Sequence, residues 1–341
     1  MEPERIDQIG EWGLLARLRG FCAAELIGDD GALLPAAGDR DWAVTTDSLV
    51  DGVHFSDRTT PARSVGWRAV AANLSDLAAM GAEPVAITVA LALPGDTAVA
   101  WAVDLYEGMA ACLGRYGGAI AGGDLCRSPI KTVSITALGR VSRDRALRRN
   151  AAQPGDAIIV TGIHGASRAG LAVLLEPERF ATVPTALQNS WIEAHQYPRP
   201  RFDAIAAIAP LTADRDRPWC AMDSSDGLAD ALWQISRDSQ VSMVIDRAAL
   251  PMPPGLADHL GEDIALDWTL YGGEDFELVL ALPPAIADAL ISQLGPTAAR
   301  IGTVLERDNE RRDRPITLTD STGRHRDRPL SGKATFQHFA P

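Results

Sequence analysis

Runs of β-branched residues alternate with segments of helical periodicity along the whole chain, and the alternation starts again near residue 156. In the first half, four runs predict strands, at 41–50, 84–93, 117–124 and 132–141. Helical periodicity falls between them, at 62–80 and 97–116. This alternation is typical of α/β and α+β domains, in which helices cover a sheet. The run at 84–93 is apolar with little alternation, which predicts that both of its faces are covered.

The turn sequence AAQPGD at 151–156 separates the two series of elements. After it, strands are predicted at 156–162, 218–223, 241–246 and 276–282. Helices are predicted at 165–175 and 225–238, the second with Ser225 or Asp226 at its N-terminus. The 341 residues suit two domains, for which we expect the bounds 1–141 and 157–341 with a linker at 142–156. We expect the Arg- and Asp-rich stretch 305–329 to be solvated surface.

Charge and hydropathy exclude several classes of protein. The net charge of −13 argues against nucleic acid as a partner. The polar N-terminal stretch has no signal-peptide pattern, and the apolar run 85–93 is much shorter than the roughly 20 residues of a membrane-spanning helix. The four cysteines show no C-x-x-C spacing, so we expect reduced thiols in a cytoplasmic protein.

Common nucleotide-binding motifs are absent from the sequence. There is neither a G-x-x-x-x-G-K-[ST] loop nor a G-x-G-x-x-G fingerprint. The HRD triplet at 325–327 lacks the asparagine and the D-F-G that would accompany it in a protein kinase. Any nucleotide site must therefore be built in another way.

Single aspartates stand in apolar or glycine-rich surroundings at several predicted strand ends and loops: Asp30, Asp47, Asp124, Asp223 and Asp226. Taken singly, Asp30 suits a turn and Asp226 suits a helix N-cap. Taken together, they suit Mg²⁺, which prefers carboxylate and phosphate oxygens. Hydroxyl or carbonyl oxygens of Thr45, Thr46 and Ser225 lie beside them in sequence. Bound cations would let an acidic protein hold polyphosphates, and the glycines at 122–123 and 272–273 would allow close approach of the backbone to a ligand.

Asp76 lies within the predicted helix 62–80, away from the apolar face that includes Trp67 and Leu74. Its own face carries Asn73 and small apolar residues, without the Lys and Glu of a solvated surface. Asp76 is therefore either a solvated residue, a partner of Asn73 or a member of the aspartate group.

Seven blocks, in order and at comparable spacing, resemble the thiamine-monophosphate kinase family: IGDDGALL, TTDSLVDGVHF, NLSDLAAMGAEP, GGDLCRSP, RALRRNAAQPGD, DSSDGLADAL and YGGEDFEL. The resemblance extends from about residue 25 to FQHF at 336–339. It implies the two-domain fold of aminoimidazole ribonucleotide synthetase, an α/β (α+β) fold. It also implies a homodimer in which the N-terminal mixed sheets join into a barrel, with a C-terminal α/β domain beside them.

The resemblance further implies transfer of the γ-phosphoryl group of ATP to thiamine monophosphate with several Mg²⁺ ions. It places metal ligands at Asp30, Thr45, Thr46, Asp47, Asp76, Asp124, Asp223 and Asp226. ATP contacts are implied at Tyr106, Gly123, Asp124, Arg149 and Ser225, and substrate contacts at His54, Glu274 and Phe336. Of these, Asp47, Asp124 and Arg149 are the implied catalytic residues. On residue type alone, His54, Glu274 and Arg149 could equally be a strand histidine, a turn acid and a surface arginine.

Two other functions remain open at this point. One is a related ATP-dependent activity such as that of selenophosphate synthetase, which needs a reactive Cys followed by Lys; Cys22 has no Lys near it. The other is a non-catalytic sensor of Mg-nucleotide or thiamine diphosphate. A depleted ligand set would favour the sensor, whereas every matched aspartate is present here.

Overall fold

Two mixed sheets flanked by helices make up the computed structural model, which describes residues 6–212, 217–308 and 314–330. The first half contains α1 (Ile6–Leu18), β1 (Ala32–Leu34), β2 (Arg40–Val50), α2 (Ala62–Ala79), β3 (Glu83–Leu93), α3 (Val99–Tyr116), β4 (Ala119–Arg127) and β5 (Thr132–Ser142). The second half contains β6 (Ala157–Val160), α4 (Ala166–Leu175), α5 (Thr185–Gln196), α6 (Phe202–Ile208), β7 (Cys220–Asp223), α7 (Leu228–Ser239), β8 (Ser242–Asp246), α8 (Leu256–Leu260), α9 (Glu262–Tyr271), β9 (Leu278–Leu282), α10 (Pro284–Leu294), β10 (Ala299–Leu305), β11 (Ile316–Thr319) and β12 (Arg328–Pro329). The strands and helices predicted from the sequence are all present, with ends shifted by a few residues. None of the described helices is long and apolar enough to cross a membrane.

The first sheet has the strand order β1-β2-β5-β3-β4, in which only β3 and β4 run parallel. One face packs on helices, and Ile87, Val89 and Leu91 of β3 point into that core. The opposite face, with Val85 and Ala90, is exposed in the single chain. The described residues of one chain therefore cover only one face of β3.

The second sheet has seven strands in the order β12-β11-β8-β10-β6-β9-β7. Its strand β11 corrects the expectation that 305–329 is solvated surface. Ile316 and Leu318 are buried in the core of this half, and β11 pairs with β8 in parallel. The charged residues around them concealed a strand of only four residues, whose two apolar positions are enough to anchor it.

Helix α2 is buried on nearly all sides because it lies between the first sheet and the second half of the chain. Two glycines let α2 and α3 cross closely. A Cβ atom at Gly66 would lie 1.8 Å from the carbonyl oxygen of Leu105, and one at Gly108 would lie 1.9 Å from that of Arg63. This burial explains why the face of α2 around Asp76 lacks Lys and Glu.

Helix α7 begins later than the sequence predicted. Its first residue is Leu228 and its N-cap is Gly227, which has φ of +101°, so neither Ser225 nor Asp226 caps it. This backbone conformation, with positive φ, favours glycine over other residues. Ser225 and Asp226 consequently belong to the loop between β7 and α7, where their side chains are available to a site.

Candidate active site

A cavity of about 570 Å³ opens where the first sheet and α2 meet the loops of the second half. Eight of the residues that the resemblance assigned to the site line it: Thr46, Asp47, His54, Asp76, Asp223, Ser225, Asp226 and Glu274. They come from β2 and its following turn, from α2, from the end of β7 and from the loop before β9. Residues far apart in sequence thus converge on one pocket.

Three carboxylates form a compact cluster beside this cavity. One oxygen each from Asp30, Asp76 and Asp223 lies within 4.8 Å of the others. Asp30 Oδ2 and Asp223 Oδ2 are buried and accept no hydrogen bond within the described part of the chain. Buried carboxylate oxygens without donors are costly unless a cation binds them. The donor set, with oxygen ligands only, suits a hard divalent cation such as Mg²⁺.

Burial and mutual repulsion raise the pKa values of these carboxyl groups. Burial raises the pKa of Asp30 to about 7, and the charge of Asp223 adds to the effect, while Arg149 opposes it. Burial and the charge of Asp30 raise the pKa of Asp47 to about 6. The pKa of Asp76 is raised well above its usual value by burial and by the charge of Asp47. A bound cation would relieve this repulsion.

Hydroxyl groups supplement the carboxylates. Thr45 Oγ1 donates a hydrogen bond to Asp76 Oδ2, and Ser225 Oγ donates one to Asp223 Oδ1 at 3.1 Å. Thr46 Oγ1 instead donates to the carbonyl oxygen of Ile135 at 2.9 Å. The first two hydroxyls orient carboxylates of the cluster, as partners of metal ligands commonly do.

Arg149 is paired with the cluster. Its Nη2 lies 2.5 Å from Asp30 Oδ1, and its Nη1 lies 2.5 Å from Gln234 Oε1. Its backbone N–H donates to Asp29 Oδ1 at 2.7 Å, which anchors the 149 turn to the loop before β1. The side chain therefore sits beside the cluster rather than on an exposed surface.

His54 and Glu274 both line the cavity, one from the turn after β2 and the other from the loop before β9. His54 Nδ1 accepts a hydrogen bond from the backbone N–H of Val50 at 3.0 Å, so in the neutral ring Nε2 carries the proton. Glu274 has φ of +59°, and its N–H donates to the carbonyl oxygen of Ser225 at 2.6 Å. Gly273 lets this loop pack against Ser225 and Asp226, whereas Gly272 lies close to Trp268 and Arg168.

Three predicted ATP-side residues lie elsewhere in the single chain. Gly123 and Asp124 are on the exposed strand β4, and Tyr106 lies on α3 in a shallow groove that also includes Ile120. In the register of the first sheet, Asp47 of β2 is opposite Ile135 of β5. Ile135 is opposite Val89 of β3, and Val89 is opposite Gly123 of β4. Asp124 is thus three strands from β2, about 14 Å at the usual strand spacing.

Gly123 has a structural reason to be glycine, different from the expected approach of a ligand. A Cβ atom there would lie 1.9 Å from the carbonyl oxygen of Val89 on the adjacent strand. The last predicted substrate residue, Phe336, lies outside the described residues.

The structure also brings forward residues that sequence reasoning missed. Asp29 accepts hydrogen bonds from Arg149 and Arg148, and Arg68 forms an ion pair with Glu274. Glu11 of α1 also lines the cavity. A lone arginine in the otherwise small and apolar stretch GWRAVAANL was a signal that could have identified Arg68.

Comparison with known proteins finds relatives of both halves of the chain. The N-terminal domain of AIR synthase related proteins matches residues 28–141, and the C-terminal domain matches 153–313. The thiamine-monophosphate kinase of Synechococcus elongatus is 46% identical over 345 residues, covering 99% of both proteins. That of Escherichia coli K12 is 40% identical, covering 84% of this chain and 86% of its own length.

A solved structure described as AaThiL complexed with AMPPCP and TMP has the same fold. It superposes with a TM-score of 0.83 at 26% identity, covering 99% of this chain and 100% of that one. Both halves of the chain are therefore matched together and in the same arrangement.

Proposed function

The chain belongs to the thiamine-monophosphate kinase family, and on that basis we propose that it transfers the γ-phosphoryl group of ATP to thiamine monophosphate. The products are thiamine diphosphate and ADP. The acceptor phosphate is already an anion, so no general base is needed, and the main tasks are positioning and neutralisation of charge.

The observation that supports this proposal best is the cluster of Asp30, Asp76 and Asp223 at the cavity. Two phosphate-bearing substrates repel each other and would be repelled by these carboxylates. The site is suited to both substrates only with cations between protein and phosphates. The unpartnered oxygens Asp30 Oδ2 and Asp223 Oδ2 are the positions where such cations fit.

The residues proposed to hold Mg²⁺ ions are Asp30, Thr45, Thr46, Asp47, Asp76, Asp124, Asp223 and Asp226. Bound there, Mg²⁺ would neutralise charge on the phosphate oxygens of both substrates. Asp47 lines the cavity next to the cluster and is our choice for the most important ligand. Ser225 orients Asp223 and lies where it could also contact a phosphate of ATP.

Arg149, His54 and Glu274 are assigned to the substrates. The guanidinium group of Arg149 is held beside Asp30, where it can stabilise charge on the transferred group. His54 offers an Nε2–H donor, and Glu274 offers a carboxylate, to thiamine monophosphate. Phe336 is proposed to stack on the thiamine rings, a contact that lies outside the described residues.

A homodimer and a cytoplasmic location complete the proposal. β4 is an open edge strand with Leu125 70% exposed, and Val99 on the adjacent helix α3 is 80% exposed. Among the described residues, β1 pairs with β2 only at residues 42–44, so no described strand covers the edge of the later half of β2. If β4 of a second copy paired with that edge, Asp124 of the second copy would lie near Thr46 of the first. The four unpaired cysteines are consistent with a reducing compartment.

The same pairing would explain the placement of the three ATP-side residues. Tyr106, Gly123 and Asp124 all belong to the α3–β4 surface, so one contact would bring them together to the cavity of the other copy. Sedimentation at micromolar concentration should give the mass of a dimer, and a monomeric mass would contradict this part of the proposal.

The test of the activity is direct. Purified protein is incubated with MgATP and thiamine monophosphate, and the products are separated to measure thiamine diphosphate and ADP. We expect both products in equal amounts and their complete loss in excess EDTA. ADP formed without thiamine diphosphate would refute the proposed acceptor, and undiminished turnover in EDTA would refute the role of the metal.

A further inference from the structure

Arg68 is a buried charge at the junction between the two halves of the chain. It lies on α2, and its side chain is 2% exposed. Its Nη2 forms an ion pair with Glu274 Oε1, and its Nη1 lies 3.1 Å from His195 Nε2. Glu274 and His195 both belong to the second half, so this guanidinium group connects the halves directly.

His195 has a defined role in this network. Burial and the charge of Arg68 lower the pKa of His195 to about 3, so the ring is neutral at physiological pH. Since arginine has only donors, Nε2 accepts from Arg68, and Nδ1–H is left to donate to Ser167 Oγ at 3.0 Å. The ring therefore supports Arg68 through Nε2 and is itself held by Ser167, which lines the cavity.

Glu274 is the member of the network that reaches the cavity. Its side chain is 32% exposed, and its backbone is held at positive φ by the contact with Ser225. The ion pair with Arg68 engages Oε1, whereas Oε2 lies 3.9 Å from His195 Nδ1, beyond hydrogen-bond distance, and is the oxygen left for a ligand. A carboxylate fixed in this way can accept from the exocyclic amino group of a pyrimidine or face a cationic ring.

We propose that Arg68 is the positioning residue of the thiamine monophosphate subsite, because it fixes the Glu274 carboxylate from across the junction of the two halves. This inference rests on the proposed function, in which Glu274 contacts thiamine monophosphate. A consequence is that the subsite forms only when α2 is docked on the 271–277 loop. Trp67 Nε1, which donates to the carbonyl oxygen of Pro198 at 2.8 Å, supports the same docking.

The test is a double-mutant cycle with Arg68→Gln, Glu274→Gln and the double variant. We expect Arg68→Gln to raise the KM for thiamine monophosphate by about 10- to 100-fold, the factor that a lost charge-assisted hydrogen bond implies. The KM for ATP should stay within about threefold, since a residue that positions only one substrate affects only that KM. The double variant should be no worse than Glu274→Gln alone, because Arg68 acts through Glu274.

Two further variants complete the design. Arg68→Lys keeps the buried charge but cannot reach both partners in a planar fork, so its KM should fall between wild type and Arg68→Gln. If Arg68→Gln does not fold, Arg68→Lys serves in the same cycle. Arg199→Gln is the matched control, because Arg199 lies shortly after His195 in sequence but forms a surface ion pair. Its partner is Glu193, and both side chains are 59% exposed. Its KM values should equal those of the wild type.

The outcomes separate the inference from the proposed function. A wild-type protein that forms no thiamine diphosphate refutes the proposed function and, with it, this inference. A wild type that is active, with additive effects of the two single variants, overturns the inference alone. So does an Arg68→Gln variant that raises both KM values equally and lowers the melting temperature, which is the result expected of a purely structural residue.

Discussion

Two groups of buried carboxylates lie close together in this molecule and are treated differently by their surroundings. In the first, Asp30 and Asp223 keep buried oxygens that accept no hydrogen bond in the described chain. In the second, Glu277 accepts from Arg201 and from Thr161 Oγ1, at 2.5 Å from the latter. Asp275, also in the second group, accepts from the backbone N–H groups of Gly165 at 2.6 Å and Ser167 at 2.8 Å.

The difference in hydrogen-bond donors indicates which group is structural and which group suits a cation. A buried carboxylate with its full set of donors is compensated by the protein itself. A buried carboxylate without them destabilises the fold until a cation binds. Burial raises the pKa of Asp275 to about 7, as it does that of Asp30, so the number of hydrogen-bond donors, rather than the pKa, distinguishes the two groups.

Asp47→Asn is the sharpest test of this comparison and should have the largest effect. The change keeps size but removes a charge from the ligand set. We expect the rate to fall by roughly 10²-fold or more, the scale of losing one electrostatic element of a transition state. The metal-free variant should melt at the same or a higher temperature than the wild type, because burial and the charge of Asp30 both disfavour the Asp47 carboxylate. Steady-state rates and melting curves in EDTA measure the two effects.

A variant within threefold of the wild-type rate would show that Asp47 is not a ligand. A large loss of stability in the metal-free form would show that Asp47 belongs with the structural carboxylates instead.

Glu277→Gln should give the opposite pattern. The change leaves Arg201 with one ion-pair partner, Asp203, whose side chain is 60% exposed. We expect a loss of about 1–3 kcal/mol, the range for breaking a partly compensated buried pair. That corresponds to a melting temperature about 1–4 °C lower in a protein of this size. Below the transition, kcat should stay within about threefold of wild type, as for substitutions that touch no reacting group.

The matched control is Arg179→Gln, which breaks an exposed pair with Glu176 and should change neither quantity. A Glu277→Gln variant that is fully stable but inactive would place Glu277 in the catalytic machinery and remove the distinction between the two groups.

Much of the fold was predictable because its elements have strong local patterns. Strands such as β2 and β5, and helices such as α2, have the periodicity and the turn residues that mark their ends. β11 was missed because two apolar residues in a charged stretch produce no periodic signal. The start of α7 was misplaced because Gly227, rather than a polar side chain, occupies the N-cap.

The site was only partly predictable for a physical reason. Aspartates in apolar or glycine-rich segments have no local explanation, and that anomaly identified Asp30, Asp47 and Asp223. The partner of Glu274 depends on how α2 docks against a loop more than 200 residues away, and no local pattern encodes such a contact; Arg68 and Glu274 are separated by 206 positions. Tyr106 and Asp124 lie away from the cavity in one copy of the chain, and only the proposed dimer would bring them to it.

The smallest expected effect concerns pH and Mg²⁺ binding. The folded protein holds protons on Asp30 with a pKa of about 7 and on Asp47 with a pKa of about 6, whereas an unfolded aspartate has a pKa near ~3.9. Because these pKa values are raised, the metal-free fold loses stability as pH rises from about 4 through about 7.

Mg²⁺ requires the ionised carboxylates, so its binding displaces these protons and is favoured at higher pH. We expect affinity about 10-fold tighter at pH 8 than at pH 6, the factor for one group with a pKa of 7. The increase in melting temperature on adding Mg²⁺, measured against EDTA at each pH, should therefore be larger at pH 8 by about 2 °C. Asp47→Asn should retain the part of this dependence that comes from Asp30. An increase of the same size at both values of pH would mean that the carboxylates of the cluster are already ionised without metal, and that donors from the protein compensate them as they do Glu277.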